Sequence, residues 1–295
     1  MRNLLKKILS LTLLQDYKTR AISSKKFSSY EEALKYCSTD AYQDNELVEV
    51  VLKKTKRFVK ELESGLIPLW DTSGYSLLSL INPILEKGQQ KLNVLDFGGA
   101  CGAHYFIARK FLDPKIKLNW IVVETPAMVN AAKELENEEL HFCDSLDEAI
   151  NKLGQIDLLH TSGTLQCVDE PYKYLEKILN SGSRWILFNR LGLSQSNEDV
   201  IVIHNSKLSW NGIGDLPEGY KDKMISYPFT FISESKFLNL LNEKFTIFAK
   251  FSENSGIKTI RSIKIVGYGL LCKIKSFFLH VTYESELLLL LSFWS

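Results

Sequence analysis

Short apolar runs alternate with amphipathic stretches through the middle of the chain. Asn93–Phe97, apolar at Val94, Leu95 and Phe97, reads as a buried strand, and His104–Phe111 as the helix after it. Asn119–Glu124 repeats the strand, and Thr125-Pro126 opens a helix through Leu135, with proline in its tolerated first turn. Leu140–Asp144 is a third strand. Ser145-Leu146-Asp147-Glu148 then has the serine-x-x-acid form that caps a helix, here running to about Leu153. Ile156–Thr161 and Trp185–Asn189 complete five strands, with a helix from Glu170-Pro171 to Leu179 between them. This alternation predicts an α/β fold, a Rossmann-like doubly wound and mostly parallel sheet.

The flanks follow other patterns. Residues 28–90 read as an N-terminal helical region, with a capped start in which Ser28 precedes Glu31 by three. Helices over 46–64 and Tyr75–Leu85 follow, separated by a turn at Trp70–Gly74. Residues 191–232 break the rhythm with Gly192, Gly212, Gly214, Pro217, Gly219 and Pro228, and read as a long irregular lid inserted after the fifth strand. A helix over Ser233–Glu243 and strands over Phe245–Phe251 and Ile263–Cys272 close the sheet. The central domain is therefore expected over 91–275. Residues 1–27 form a basic amphipathic segment suited to peripheral membrane contact or to docking on its own domain. Residues 276–295 form an apolar extension containing Leu287–Leu291. Neither end is long and apolar enough for a spanning helix.

Composition narrows the classes. The 295 residues are 45% hydrophobic and 24% charged, with a formal net charge of +1, which gives no reason to expect a nucleic-acid partner. Five scattered cysteines with no Cys-x-x-Cys pair fit a reducing, cytoplasmic setting better than a disulfide framework or zinc knuckle. The histidines show no metal-ligand spacing in sequence, so no metal is expected.

The candidate chemistry gathers where strands end. Asp96, Gly98, Gly99 and Gly102 make a strand–glycine turn–helix unit, in which glycines let a ligand approach the backbone. Phe97 occupies the first glycine position of a dinucleotide fingerprint, which disfavours that ligand. Glu124 ends the second strand, where a carboxylate can accept both ribose hydroxyls. Asp144 and Ser145 end the third, where an acid can accept from a ligand amino group and a helix-start N–H is free. His160 and Thr161 end the fourth; Thr161 is expected beside the cofactor and His160 is the candidate general base. Arg190, after the fifth, could hold an anionic group or be a surface charge.

Asp-x-Gly-x-Ala-x-Gly at 96–102 resembles motif I of the class I S-adenosylmethionine (SAM)-dependent methyltransferases, with Ala100 at the usual middle glycine. Ser29–Ala33, Asn93–Phe106, Trp120–Pro126, Leu165-Gln166 and Asp169–Tyr172 further resemble a bacterial family of such methyltransferases associated with surface-polysaccharide gene clusters. The likeness spans roughly residues 28–275. It implies SAM as cofactor and a small-molecule acceptor, such as a nucleotide- or lipid-linked sugar. Two alternatives remain open at this point: a non-catalytic binding module on the same fold, and an NAD-dependent sugar-modifying enzyme.

Overall fold

A computed structural model of the chain describes residues 22–23, 25–37, 41–65, 72–253, 259–260 and 262–275. Of the expected N-terminal segment 1–27, residues 1–21 and 24 lie outside the described residues, as does the apolar extension from 276. Among those described, no helix is long and apolar enough to cross a membrane.

The helical region comprises α1 (Tyr30–Leu34), α2 (Asn45–Glu63) and α3 (Thr72–Ile84). The α/β alternation then runs β1 (Lys91–Phe97), α4 (Ala103–Phe111), β2 (Lys117–Val123), α5 (Pro126–Ala132), β3 (Leu140–Cys143), α6 (Leu146–Leu153), β4 (Leu158–Ser162), α7 (Pro171–Leu179) and β5 (Trp185–Ser194). It ends with β6 (Val200–Lys207), β7 (Met224–Ser233), α8 (Glu234–Lys244), β8 (Phe245–Ser252), β9 (Thr259–Ile260) and β10 (Ile263–Ile274).

The central order is β3-β2-β1-β4-β5-β10-β8. β1 to β5 pair in parallel, and β10 runs antiparallel between β5 and β8. This is the mostly parallel, doubly wound α/β sheet with the antiparallel final strand expected of the class I methyltransferase type. Side chains of successive strand residues point to opposite faces, so each strand feeds two cores. Val94, Trp120 and Leu140 pack beneath α2 to α5 with Leu47, Leu77, Tyr105 and Met128. Leu95, Ile121, Leu159 and Ile186 pack on the other side against α6 to α8, with Ala149, Leu175 and Phe237.

Two local expectations need correction. The N-cap of α1 is Ser29, whose side chain accepts from Glu32 N–H, while the Glu32 carboxylate accepts from Ser28 N–H and hydroxyl. The capping box is thus one residue later than the pattern suggested. Helix α3 already includes Thr72 to Gly74, part of the turn expected at Trp70–Gly74.

The largest departure concerns 191–232. β5 continues to Ser194, and β6 and β7 form a regular antiparallel pair from Val200↔Phe231 to Lys207↔Met224. Most of the glycines and prolines that suggested an irregular lid fall in the connection between these strands. Pro228, inside β7, faces β6, and β7 meets β5 only at Ile232 and Ser233, so its missing N–H falls where β7 has a single neighbour. The N-terminal stretch adds to the free side of β6 through Ser23 N–H to Ile203 O at 2.9 Å and Phe27 N–H to Ile201 O at 3.0 Å.

Candidate active site

A cavity of about 740 Å³ opens at the carboxyl ends of β1, β2, β4 and β5. This is where an open parallel sheet places ligands, beside the point at which strand order reverses between β1 and β4. Its size lies in the range of pockets that bury a small molecule. The wall has two parts. Gly98–Ala100, His104, Glu124, Thr125 and Met128 line the end beside the glycine turn, roofed by Tyr42 and Gln43. Arg190, His204, Tyr227 and Phe229 belong to the other end, built by β5 and the β6–β7 pair.

The glycine turn is shaped by what lies beneath it. A Cβ on Gly99 would stand 2.5 Å from Asp96 Oδ2, so the backbone lies directly over that carboxylate. Gly98 has φ of 77°, and a Cβ there would meet Thr164 Oγ1 at 1.9 Å. Ala100 adopts φ of 50°, a left-handed conformation in which a glycine would be unstrained. Gly102, at φ 79°, is the N-cap of α4 rather than part of the cavity wall.

Glu124 sits in the cavity wall with its carboxylate in the turn. Oε1 accepts from Ala100 N–H at 2.9 Å and Oε2 from Thr125 N–H at 3.0 Å. Burial raises its carboxyl above the ordinary value, against the pull of those two N–H groups. Thr125 caps α5 and donates its hydroxyl to Tyr42 O at 2.9 Å, which ties the helical region over this end.

Asp96 and His160 depart from their expected places. Asp96 is fully buried and does not reach the cavity, because Gly99 covers it. Its Oδ1 lies 2.9 Å from His160 Nδ1, and its Oδ2 lies 3.2 Å from His104 Nδ1. Burial alone would raise its carboxyl; the two imidazoles outweigh that and hold it well below the usual carboxylate range. An ionised carboxylate only accepts, so both Nδ1 atoms carry protons. His160 is fully buried as well, its Nε2 lying 3.1 Å from Asn189 Nδ2, which leaves neither ring nitrogen for a substrate. Burial lowers its basicity. Asn189 Oδ1 in turn accepts from the Ser76 hydroxyl at 3.0 Å.

His104, near the start of α4, lines the cavity beside the glycine turn, and His204 lines it from β6. His104 stands edge-on to His160, with ring centroids 4.6 Å apart. Nitrogen and oxygen atoms of Asp96, His104 and His160 all lie within 4.8 Å of one another, a spacing able to hold a metal that no sequence interval hinted at. Their pairwise hydrogen-bond distances account for the cluster without one.

The remaining expected residues are scattered. Asp144 is exposed and the Ser145 hydroxyl caps α6 through Glu148 N–H at 3.3 Å, so both stand outside the cavity wall. Thr161 is buried, and its hydroxyl has no partner among the described residues. Cys101, at the helix opening, is packed against Met128, and burial pushes its thiol up to about 12; it is a packing residue.

Arg190 is placed by a β-bulge. Phe188 pairs with Leu270 and Leu191 with Tyr268, so Asn189 and Arg190 together face Gly269. Arg190 takes φ of 51°, and its carbonyl accepts from Gln166 Nε2 at 2.7 Å. Its Nε donates to Ser162 Oγ and its Nη2 to Ser162 O, both at 2.9 Å. The bulge turns Asn189 toward His160 and presents Arg190 to the cavity. Arg190 is thus a bulky residue held at positive φ in the cavity wall.

The sequence matches no protein-family profile, and no curated protein is similar to it in sequence. Solved structures do resemble the fold. The N-terminal domain of EvdMO1 with S-adenosylhomocysteine bound is 12% identical with a TM-score of 0.44, covering 76% of this chain and 97% of that one. An S-adenosylmethionine-dependent methyltransferase from Clostridium acetobutylicum is 15% identical with a TM-score of 0.41, covering 75% and 98%. The glycopeptide N-methyltransferase MtfA is 12% identical with a TM-score of 0.40, covering 73% and 97%. At these identities the likeness assigns no activity, and the fold assignment rests on the strand order itself.

Proposed function

We propose that the chain is a SAM-dependent methyltransferase acting on a small acceptor, and that the acceptor is a sugar of a surface-polysaccharide precursor. One observation carries the first part: Glu124, at the end of β2, shares the cavity with the glycine turn after β1 and grips that turn through Ala100 N–H. A carboxylate there can accept both ribose hydroxyls, while the turn's open backbone receives the methionine portion. At Gly98 and Gly99 the turn has no room for a side chain, against Thr164 and Asp96 respectively. SAM, when bound, would supply an electrophilic sulfonium methyl group.

The second part rests on the other end of the cavity. The His204 ring contacts Tyr227 and Phe229 in tilted arrangements, with centroids 5.1 and 5.4 Å away, and Arg190 lines the same cavity. An aromatic wall with a fixed cation suits a ring compound carrying an anionic group, as in a sugar phosphate. The β6–β7 pair would hold the acceptor against the methyl group, and much of the rate gain would come from that positioning. Calorimetric titration with S-adenosylhomocysteine tests the cofactor. Wild-type protein should bind, and Glu124→Ala should lose at least about a hundredfold in affinity, since two charge-assisted hydrogen bonds are removed. A folded wild-type protein that does not bind would refute the methyltransferase reading and favour a non-catalytic module on this fold.

A further inference from the structure

The geometry points to His104 as the general base of an O-methyl transfer, aimed by a buried Asp96–His160–Asn189–Ser76 chain, so that the acceptor atom is a hydroxyl oxygen. This rests on the methyl-donor reading above. Directionality in the chain is set by its ends. The Ser76 hydroxyl donates to Asn189 Oδ1, so the Asn189 amide presents N–H to His160 Nε2. His160 must then accept at Nε2 and donate from Nδ1 to Asp96 Oδ1. Asp96 spends its second oxygen on His104 Nδ1. The result is a neutral His160 that steers the carboxylate and a His104 whose protonated nitrogen is turned inward.

His104 is therefore left with Nε2. No described residue makes a hydrogen bond to it, and the imidazole forms part of the cavity wall next to Gly98, Gly99 and Glu124. A carboxylate behind a histidine fixes its tautomer and stabilises the imidazolium formed when it takes a proton. In the transfer, the hydroxyl oxygen forms a bond to the methyl carbon as the carbon–sulfur bond breaks. The sulfonium becomes a neutral thioether, the hydroxyl proton goes to His104 Nε2, and solvent later removes it. A neutral amine needs no such base as it attacks, which is why this arrangement favours a hydroxyl. The charged groups facing the imidazole cluster are Asp96, Glu124 and Arg190, with His160 as the neighbouring titratable ring.

The metal reading of the same three residues makes the opposite demand. A metal would take the Nδ1 lone pairs that here point at carboxylate oxygens, and the chain would lose its directionality.

The test uses the full chain and three readouts. Titration with S-adenosylhomocysteine should give affinities within about threefold for wild type and His104→Gln. Release of S-adenosylhomocysteine from SAM, driven by the dialysable fraction of a bacterial extract, should fall by about 10²–10⁴ in the variant. Treatment of the wild type with diethyl pyrocarbonate, mapped by peptide mass, should modify His104 and spare His160. Turnover by His104→Gln within threefold of wild type, with cofactor binding intact, would overturn the assignment. Modification of His160 ahead of His104 would overturn it independently of any variant, as would one equivalent of tightly bound transition metal in the purified protein. A wild type that binds no S-adenosylhomocysteine would instead sink the methyl-donor reading beneath it.

Discussion

Lys54 is a buried ammonium with no acidic partner in contact among the described residues, and replacing it by methionine isolates what it does. It lies on α2 with its side chain fully buried, and its Nζ donates to Ser209 O at 2.9 Å, Asn211 O at 2.6 Å and Gly212 O at 3.4 Å. Those carbonyls belong to the segment after β6 whose residues Trp210–Gly214 line the cavity. Two of the bonds are short, and a charge-assisted hydrogen bond contributes about 1.5–3 kcal/mol. Against this, burial lowers the ammonium from 10.5 to about 8. That drop corresponds to about 3 kcal/mol against the charged form at neutral pH. The two effects nearly cancel.

Lys54→Met should therefore reduce unfolding free energy by only about 0–2 kcal/mol in urea denaturation, while releasing the loop. Hydrogen exchange at the amides of 209–214 should speed up at least about tenfold. The pH dependence has a definite sign. Because the folded pKa is below the unfolded one, the unfolded chain holds the proton longer, and the penalty is fully present below about 8 and relieved as pH rises toward 10.5. Wild-type stability should climb across that window relative to Lys54→Met, by up to about 3 kcal/mol. A loss above about 4 kcal/mol at neutral pH, with loop exchange unchanged, would show that the lysine stabilises the core rather than pinning the cavity wall.

The glycine turn gives a contrasting pair of substitutions: Gly99→Ala drives a Cβ to 2.5 Å from the Asp96 carboxylate and should cost about 1–3 kcal/mol in thermal or urea unfolding. Ala100→Gly relieves a residue at φ 50° and should stabilise by about 0.5–1 kcal/mol, so a destabilised variant would argue against strain there. Burial lowers His204 to about 4, so its contribution to stability is complete above 6.5 and is lost as pH falls toward 4. His204→Phe should flatten the acid limb of the stability–pH curve over that interval, and an unchanged limb would remove His204 as its source.

The parallel core was legible because buried strands of a doubly wound sheet read as continuous apolar runs, and because Ser145 and Thr125-Pro126 announce their helices locally. The β6–β7 pair was not. Its alternation at Val200 and Val202 is brief, and the glycines of the connection dominate any window that includes them. The bulge at Asn189–Arg190 depends on the partner strand, where Gly269 leaves room for the Phe251 ring that a Cβ would strike at 1.9 Å. Nothing local to Arg190 could have announced its positive φ.

Three acids closing three successive strands look equivalent in the sequence, yet their environments separate them completely. Asp144 ends β3, the edge strand, and projects into solvent. Glu124 ends β2 with the glycine turn of β1 alongside, so two backbone N–H groups hold it in the cavity wall. Asp96 lies one residue inside the end of β1, flanked by β2 and β4, under a turn whose Gly99 has no side chain to hold it off. Sealed there, an isolated carboxylate would be costly, and the two histidines are its compensation. His160 reaches it from β4 because Asp96 and His160 are paired in register. His104 reaches it from α4 because the turn returns the chain over the strand it has just left. The histidine that ends a strand is consequently consumed in hydrogen-bonding the buried carboxylate, and the one on the helix keeps a nitrogen at the cavity. Strand position alone favoured the former; the fold of the glycine turn favours the latter.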